Sequence, residues 1–202
     1  MNNNITLIHD RPLIEDIFQY DIIIVGTGIH NSLGNGFQYD VKINFPKVEK
    51  VVKKTPYADV RKLGTVTVIN DKPIFCVGFI HKGGYRKDVN PDFLDYNSLK
   101  EVLNLIESNF KDKCIGTTLL GCSKYDGNGD RNAVLDLFNE IAIKNKYFIY
   151  DYEQRDYREV NNEKWNKIID LVGKIPYEEL RRLKDEYIHT RKFGIYNNKK
   201  IE

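Results

Sequence analysis

The sequence predicts an α/β protein in three layers, a mixed and largely parallel sheet with helices on both faces, followed by a helical C-terminal extension. Two observations predict it. Short apolar runs at residues 5–8, 22–25, 65–69, 74–80, 114–120 and 147–152 alternate with stretches of helical periodicity, at spacings that suit crossover connections. Two glycine-bearing loops, at 26–36 and 121–130, each follow a buried run and each precede a helical one. The expected division is one domain over residues 1–152 and an extension over 153–202.

Each element has its own justification. Residues 5–8 read as the first strand, and Asp10, Arg11 and Pro12 as a turn. Residues 13–18 are expected to be a second, edge-like extended segment. Ile22, Ile23, Ile24 and Val25 form an unbroken β-branched run, as in a strand buried on both faces. Phe37, Val41 and Phe45 recur at every fourth position, which is a helical stripe. Pro46 should kink or restart that helix, with Val48, Val51 and Val52 continuing its apolar face. Residues 55–64 read as a loop. The alternating run at 65–69 should pair with 74–80 through the turn Asn70-Asp71-Lys72-Pro73.

Residues 81–96 contain Gly83, Gly84 and Pro91 and read as a long loop, a kind that is usually functional or mobile. Ser98, with Glu101 three positions on, reads as a capping box for a helix buried along Leu99, Val102, Leu103, Ile106 and Phe110. Asp130 is expected to cap a second helix with Val134, Leu137, Phe138 and Ile141 inward. Residues 147–152 should close the sheet. In the extension, 161–172, which holds the single Trp165, and 177–189 show amphipathic helical patterns.

Composition excludes several classes. Among 202 residues, 31 basic and 29 acidic side chains leave a net charge of +2, so no global field directs the chain to nucleic acid or membrane. Aromatic residues make up 12%, which argues against disorder. The three cysteines form no Cys-x-x-Cys pair and are expected as buried, reduced thiols. No apolar run approaches the ~18 residues of a membrane span, and Met1-Asn2-Asn3-Asn4 lacks a signal pattern. The expectation is a soluble, cytoplasmic protein.

The chemistry concentrates in the glycine loops. Strand, glycine loop and helix together aim free main-chain N–H groups and the positive end of a helix at an anion. Gly34 and Gly36 leave room for a phosphate and tolerate positive φ, although Asn35-Gly36 also suits a plain tight turn. Two such loops at strand carboxyl ends would suit a diphosphate. Gly26-Thr27-Gly28 begins a dinucleotide fingerprint, but Asn31 stands where its third glycine belongs, and 65–69 leads into a hairpin rather than a crossover. Asp126 to Asp130 begins like a calcium loop and then departs from it, with Arg131 at the sixth position and Leu137 at the twelfth. His9, His30, His81 and His189 are too dispersed for a metal cluster, so no metal or cofactor is expected. His30, in the first loop, and His81, at a strand end, are each either a general acid or base or an ordinary packing residue. Lys82 is either part of a solvated basic loop or a group set over the ligand.

The stretch Gly28-Ile29-His30-Asn31-Ser32-Leu33-Gly34-Asn35-Gly36-Phe37, with Phe45-Pro46-Lys47-Val48-Glu49 after it, resembles the ADP-ribose-binding loop and first helix of macro domains. The subgroups most alike are the terminal ADP-ribose protein glycohydrolases and the ADP-ribose 1''-phosphate phosphatases. Leu63-Gly64-Thr65-Val66-Thr67-Val68, and Leu119-Leu120-Gly121-Cys122 leading to Asp126, resemble the family's next strand and second phosphate loop. The resemblance spans residues 5–152.

It implies a role for each matching position. Asp16 would accept a hydrogen bond from the adenine amino group. Gly34, Asn35, Gly36 and Phe37 would border the phosphates and distal ribose, facing Gly121, Cys122, Ser123 and Tyr125 of the second loop. Lys82 would attack the anomeric carbon while Asp126 handles the proton, with His30 as a further catalytic candidate. Two departures stand out. Gly28 replaces a common asparagine that holds the distal ribose, with Asn31 or His30 as possible substitutes, and the second loop is about one residue longer, which makes Asp130 a rival to Asp126. The implied function is binding of ADP-ribose or a related NAD-derived nucleotide with hydrolysis at the 1'' position, ADP-ribosylated protein being one possible partner. The alternatives are a non-catalytic reader or sponge for such a nucleotide, or an interaction module acting through its aromatic, basic tail.

Overall fold

The computed structural model describes residues 2–34, 36–82, 94–123 and 127–151. The expected extension at 153–202 and most of the long loop at 81–96 lie outside them. The described strands are β1 (Ile5–Ile8), β2 (Ile22–Gly28), β3 (Val66–Ile69), β4 (Ile74–His81), β5 (Cys114–Thr118) and β6 (Lys146–Tyr150). The helices are α1 (Leu13–Asp16), α2 (Gly36–Asn44), α3 (Pro46–Val52), α4 (Tyr96–Asn109) and α5 (Arg131–Ile141), with single 3-10 turns at Ile17–Gln19 and Val60–Lys62.

The apolar run of β2 has no polar face to turn toward water, so it must be covered on both sides. Ile22 and Ile24 join Cys76 and Ile80 of β4 in one core, which α4 and α5 close with Leu99, Val102, Leu103, Ile106, Val134 and Phe138. Ile23 and Val25 join Phe75, Val77 and Phe79 in the other, which Leu13, Ile17, Phe37, Val41, Val48 and Val52 close from α1 to α3. The result is a six-stranded sheet in the order β1-β6-β5-β2-β4-β3 between two helical layers. Every neighbouring pair is parallel except the β3–β4 hairpin. The expected fold class therefore holds.

Four local expectations change. Residues 13–18 form α1 and a 3-10 turn rather than an extended segment, because Leu13 and Ile17, four apart, bury one helical stripe against the sheet. β2 runs on through Gly26 and Thr27 to Gly28, which pair with Gly78, Phe79 and His81 of β4. The cap of α4 is Asp95, whose side chain accepts from the Ser98 amide; Ser98 sits inside the helix, and the capping-box reading with Glu101 fails. β6 spans Lys146–Tyr150 rather than 147–152, and it closes the sheet by entering between β1 and β5, with Tyr147 and Ile149 in one core and Tyr150 in the other. Of the cysteines, Cys76 is buried as expected, while Cys114 and Cys122 are half-buried; all three are free thiols. Pro46 does restart the helix: Phe45 breaks it at φ −130° and Pro46 opens α3. Asp130 caps α5 by accepting from the Ala133 amide at 2.8 Å.

Gly78 lets α4 lie close on the sheet, because a Cβ there would come within 2.6 Å of Val102 Cγ1. Gly78→Ala is expected to cost about 1–3 kcal/mol, the usual scale of overpacking. Combining it with Val102→Ala should cost less than the two single changes added together, as measured by urea unfolding.

Candidate functional site

Parallel strands present their carboxyl ends at one rim, and the order along this rim follows from the sheet. Tyr150 ends β6, Thr118 ends β5 and leads to Gly121, Gly28 ends β2, and His81 ends β4. Neighbouring strands lie about 4.8 Å apart, so the first and second glycine loops rise side by side.

His81, at the end of β4, touches both loops. Its carbonyl accepts from the Ile29 amide at 3.2 Å, and its ring nitrogen Nε2 would lie 3.2 Å from a Cβ placed at Gly121. Gly121 sits at φ +72°, and its carbonyl accepts from the Gly129 amide at 2.9 Å. The glycines at 127 and 129 pack on the Gly121 backbone, so the second loop needs them to fold on itself. Cys122 turns its sulfur toward the Leu120 and Asp130 carbonyls. Ser123 accepts the Gly127 and Asn128 amides at its carbonyl, which turns the chain there.

The first loop is tied down from within. Thr27 donates through its hydroxyl to the Ser32 carbonyl at 2.7 Å. Asn31 adopts φ +58° and is buried. Its amide donates to the Thr55 carbonyl at 2.8 Å, and its Oδ1 accepts from Thr55 and from Lys62. Both ends of that amide are thus engaged with the 55–62 segment, which ties Asn31, one of the two candidates beside His30 for the part of the asparagine missing at Gly28, to that segment. Gly36 uses the positive φ that both glycines tolerate, at +48°, and Gly34 does not. Phe37 turns into the core rather than toward the rim. His30 is half-buried and meets the exposed Tyr57 ring edge-on at 5.3 Å.

Lys82, next to His81, places its Nζ 2.6 Å from Asp95 Oδ2 at the start of α4. Burial alone would raise the Asp95 carboxyl; the bonds from Lys82 and the Ser98 amide outweigh it and hold the group below the usual carboxylate range. Two strands from Gly28, Asp16 accepts from Arg11 at 2.5 Å, Gln19 at 2.7 Å and the Tyr150 hydroxyl at 2.6 Å. A carboxylate has about four acceptor positions, so room remains for one more donor on Oδ1. Here too burial pushes the pKa up, and the bonds from Tyr150 and Arg11 bring it below the ordinary value. Tyr20 hydrogen-bonds Tyr150 in turn, and burial raises both phenols.

Of the candidate residues, Gly28, His30, Lys82 and Gly121 share one stretch of rim, and Asp16 is tied to Tyr150 at the end of β6, two strands over from β2. Asn35, Tyr125 and Asp126 lie outside the described residues. Asp130 is engaged as a helix cap. Three residues escaped the sequence reading. Asp95 could have been found from its place three residues before Ser98, whereas Tyr150 and Lys62 carry no local signal. Among the described residues no cluster of His, Cys, Asp and Glu could hold a metal ion, and no helix is long and apolar enough to cross a membrane.

The fold and rim define a class, three-layer α/β/α proteins with loops poised at the carboxyl edge of a mixed sheet. Within it, solved structures narrow the fold further. Thermosipho africanus DarTG in complex with ADP-ribose matches with a TM-score of 0.60 at 16% identity, over 78% of this chain and 44% of that one. The macrodomain of Mycobacterium tuberculosis DarG matches at 0.51 and 17%, over 72% of this chain and 96% of that one. The Oceanobacillus iheyensis macrodomain with ADP matches at 0.52 and 11%, over 84% and 95%. No family model and no curated protein matches the chain. This chain has the macrodomain fold.

The Asp16 carboxyl titrates in the folded chain below the unfolded value of about 3.9, so the stability it contributes is complete above that pH and is lost as pH falls through the folded value. Asp16→Asn is expected to cost about 1–3 kcal/mol at neutral pH. The gap from the parent should close below about pH 4, as read from urea midpoints.

Proposed function

We propose that this chain binds ADP-ribose or a related NAD-derived nucleotide along the rim and hydrolyses a bond at the 1'' position, as an ADP-ribose 1''-phosphate phosphatase or an ADP-ribosyl glycohydrolase. The observation that carries the reading is the order along the rim. Asp16 stands at one end, Lys82 at the other, and two loops from adjacent strands lie between. That is also the order of an adenine, a diphosphate and a distal ribose. Adenine would donate its amino group to the open position on Asp16 Oδ1. The main-chain amides of both loops would take the diphosphate. The distal ribose would lie by Gly28, His30 and Lys82, and Asp126, which lies outside the described residues, would handle the proton as the resemblance implies. An ADP-ribosylated protein would present the same terminal group.

A second reading, a non-catalytic reader or sponge, draws on two features of the ribose end. Gly28 offers no side chain to orient the sugar, and correct orientation is a large part of catalysis. Lys82 is held by Asp95, and an ammonium has no lone pair with which to attack carbon until it gives up its proton.

Calorimetric titration with ADP-ribose, run beside phosphate release from ADP-ribose 1''-phosphate and demodification of an ADP-ribosylated protein, tests both readings. The glycohydrolase requires that Lys82→Ala lower demodification of the ADP-ribosylated protein about 100-fold or more while leaving affinity nearly unchanged, and phosphate release in the parent selects the phosphatase. Tight binding with no turnover in the parent selects the sponge. No binding at all ends the nucleotide reading.

A Cβ at Gly28 would meet nothing nearer than His81 Cβ at 3.5 Å, an ordinary contact. Gly28→Asn is therefore expected to fold normally and to tighten ADP-ribose binding by about tenfold, the scale of one good hydrogen bond. Titration of the two proteins side by side checks it.

A further inference from the structure

Lys62 ends the 3-10 turn at Val60–Lys62 with only 7% of its surface exposed. Its ammonium donates to the Ile29 carbonyl at 2.7 Å, to Asn31 Oδ1 and, at 3.4 Å, to the Thr55 hydroxyl. Beneath it, the Phe79 ring centre lies 4.4 Å away, within cation–π range. Behind it, the Thr65 amide and hydroxyl both donate to the Lys62 carbonyl, at 2.9 and 2.6 Å, and fix its backbone beside β4. An ammonium has three protons to give, and all three go to neutral oxygens.

Burying an ammonium costs several kcal/mol, and burial lowers the Lys62 pKa in spite of the charge on nearby Asp59. An apolar side chain of similar length would fill the space over Phe79 at no such cost. What an apolar side chain could not do is hold the three acceptors. Two of them, on Ile29 and Asn31, belong to the first glycine loop, and Thr55 bonds the same Asn31. Asn31 stands in the left-handed region, which asparagine enters more readily than most residues, and its side chain is hydrogen-bonded at both ends there. The Ala58 amide also donates to Ile29, so the 55–62 segment grips the loop at one place from two sides.

We infer that Lys62 is a positioning residue for ligand binding: it fixes the Ile29–Asn31 turn, and through it the main-chain amides beyond, in the form that receives a diphosphate. This rests on the nucleotide reading above. Lys62 touches no ligand; it acts through the loop.

The test compares full-length Lys62→Met and Lys62→Arg with the parent, by titration with ADP-ribose and with adenosine and by amide hydrogen exchange. Lys62→Met should weaken ADP-ribose binding about tenfold or more, the worth of a hydrogen bond to a charged group, and move adenosine binding less than about twofold. Exchange at Ser32 to Gly34 should quicken by about tenfold while β2 keeps its protection. Arginine can stack on Phe79 and donate to the same oxygens, so Lys62→Arg should recover affinity to within about threefold. If Lys62→Met does not fold, Asn31→Gly, which keeps the positive φ and removes an acceptor, should show the same losses. Unchanged ADP-ribose affinity in Lys62→Met, unchanged exchange in the loop, or an arginine variant as weak as the methionine variant overturns the inference. If the parent itself binds no ADP-ribose, the nucleotide reading fails, and the exchange comparison alone decides whether Lys62 holds the loop.

Discussion

Parallel pairing of β2 with β4 on one side and β5 on the other is the constraint on which the rest depends. A strand that is apolar on both faces cannot lie at an edge or at the surface, so it needs two strand neighbours and two helical layers. Parallel neighbours then force their connections to cross over the faces, and all their carboxyl ends meet at one rim. The glycine loops are placed by this arrangement before any of their own residues matter. Moving the hydrogen-bond register by one residue would turn Ile23 and Val25 into the wrong layer and separate Gly28 from His81.

A second set of contacts works inside this frame. Asp16 collects Arg11, Gln19 and Tyr150, and Tyr150 binds Tyr20 in turn. On the other face Glu107 accepts from Tyr147, Asn145 and the Lys144 amide. Both clusters join β6 to earlier parts of the chain, and each buried carboxylate has several donors, the condition under which such groups are tolerated. The Asp16 cluster has a further use, because it holds a charged acceptor at the far end of the rim.

Much of this was legible in the sequence. The apolar run at Ile22, the hairpin turn before Pro73, the restart at Pro46 and the cap at Asp130 depend on residues close together in the chain, where propensity and turn chemistry act directly. The short segment at 13–18 was misread because six residues do not separate a helical period from an alternating one. Within the site, the glycine loops stood out from their local pattern, whereas Lys82 read as part of a solvated basic loop until the macro-domain resemblance singled it out. Asn31 did not reveal that its amide was already engaged, since its partners Thr55 and Lys62 lie 24 and 31 residues away. Lys62 looked like any surface lysine; only the folded chain buries it. Asp16 and Tyr150, 134 residues apart, meet for the same reason.

The late strand β6, lodged between β1 and β5, has a consequence for how the domain is made. During synthesis β1 must wait until residue 150 has emerged to pair with β6, its neighbour among the described strands and the last of them in chain order. Contacts of such long sequence separation form slowly. Helper proteins that shield nascent hydrophobic surface would therefore meet this protein at β1, and a ribosome stalled before residue 146 would release a species in which β1 and β5 both lack the partner that β6 supplies.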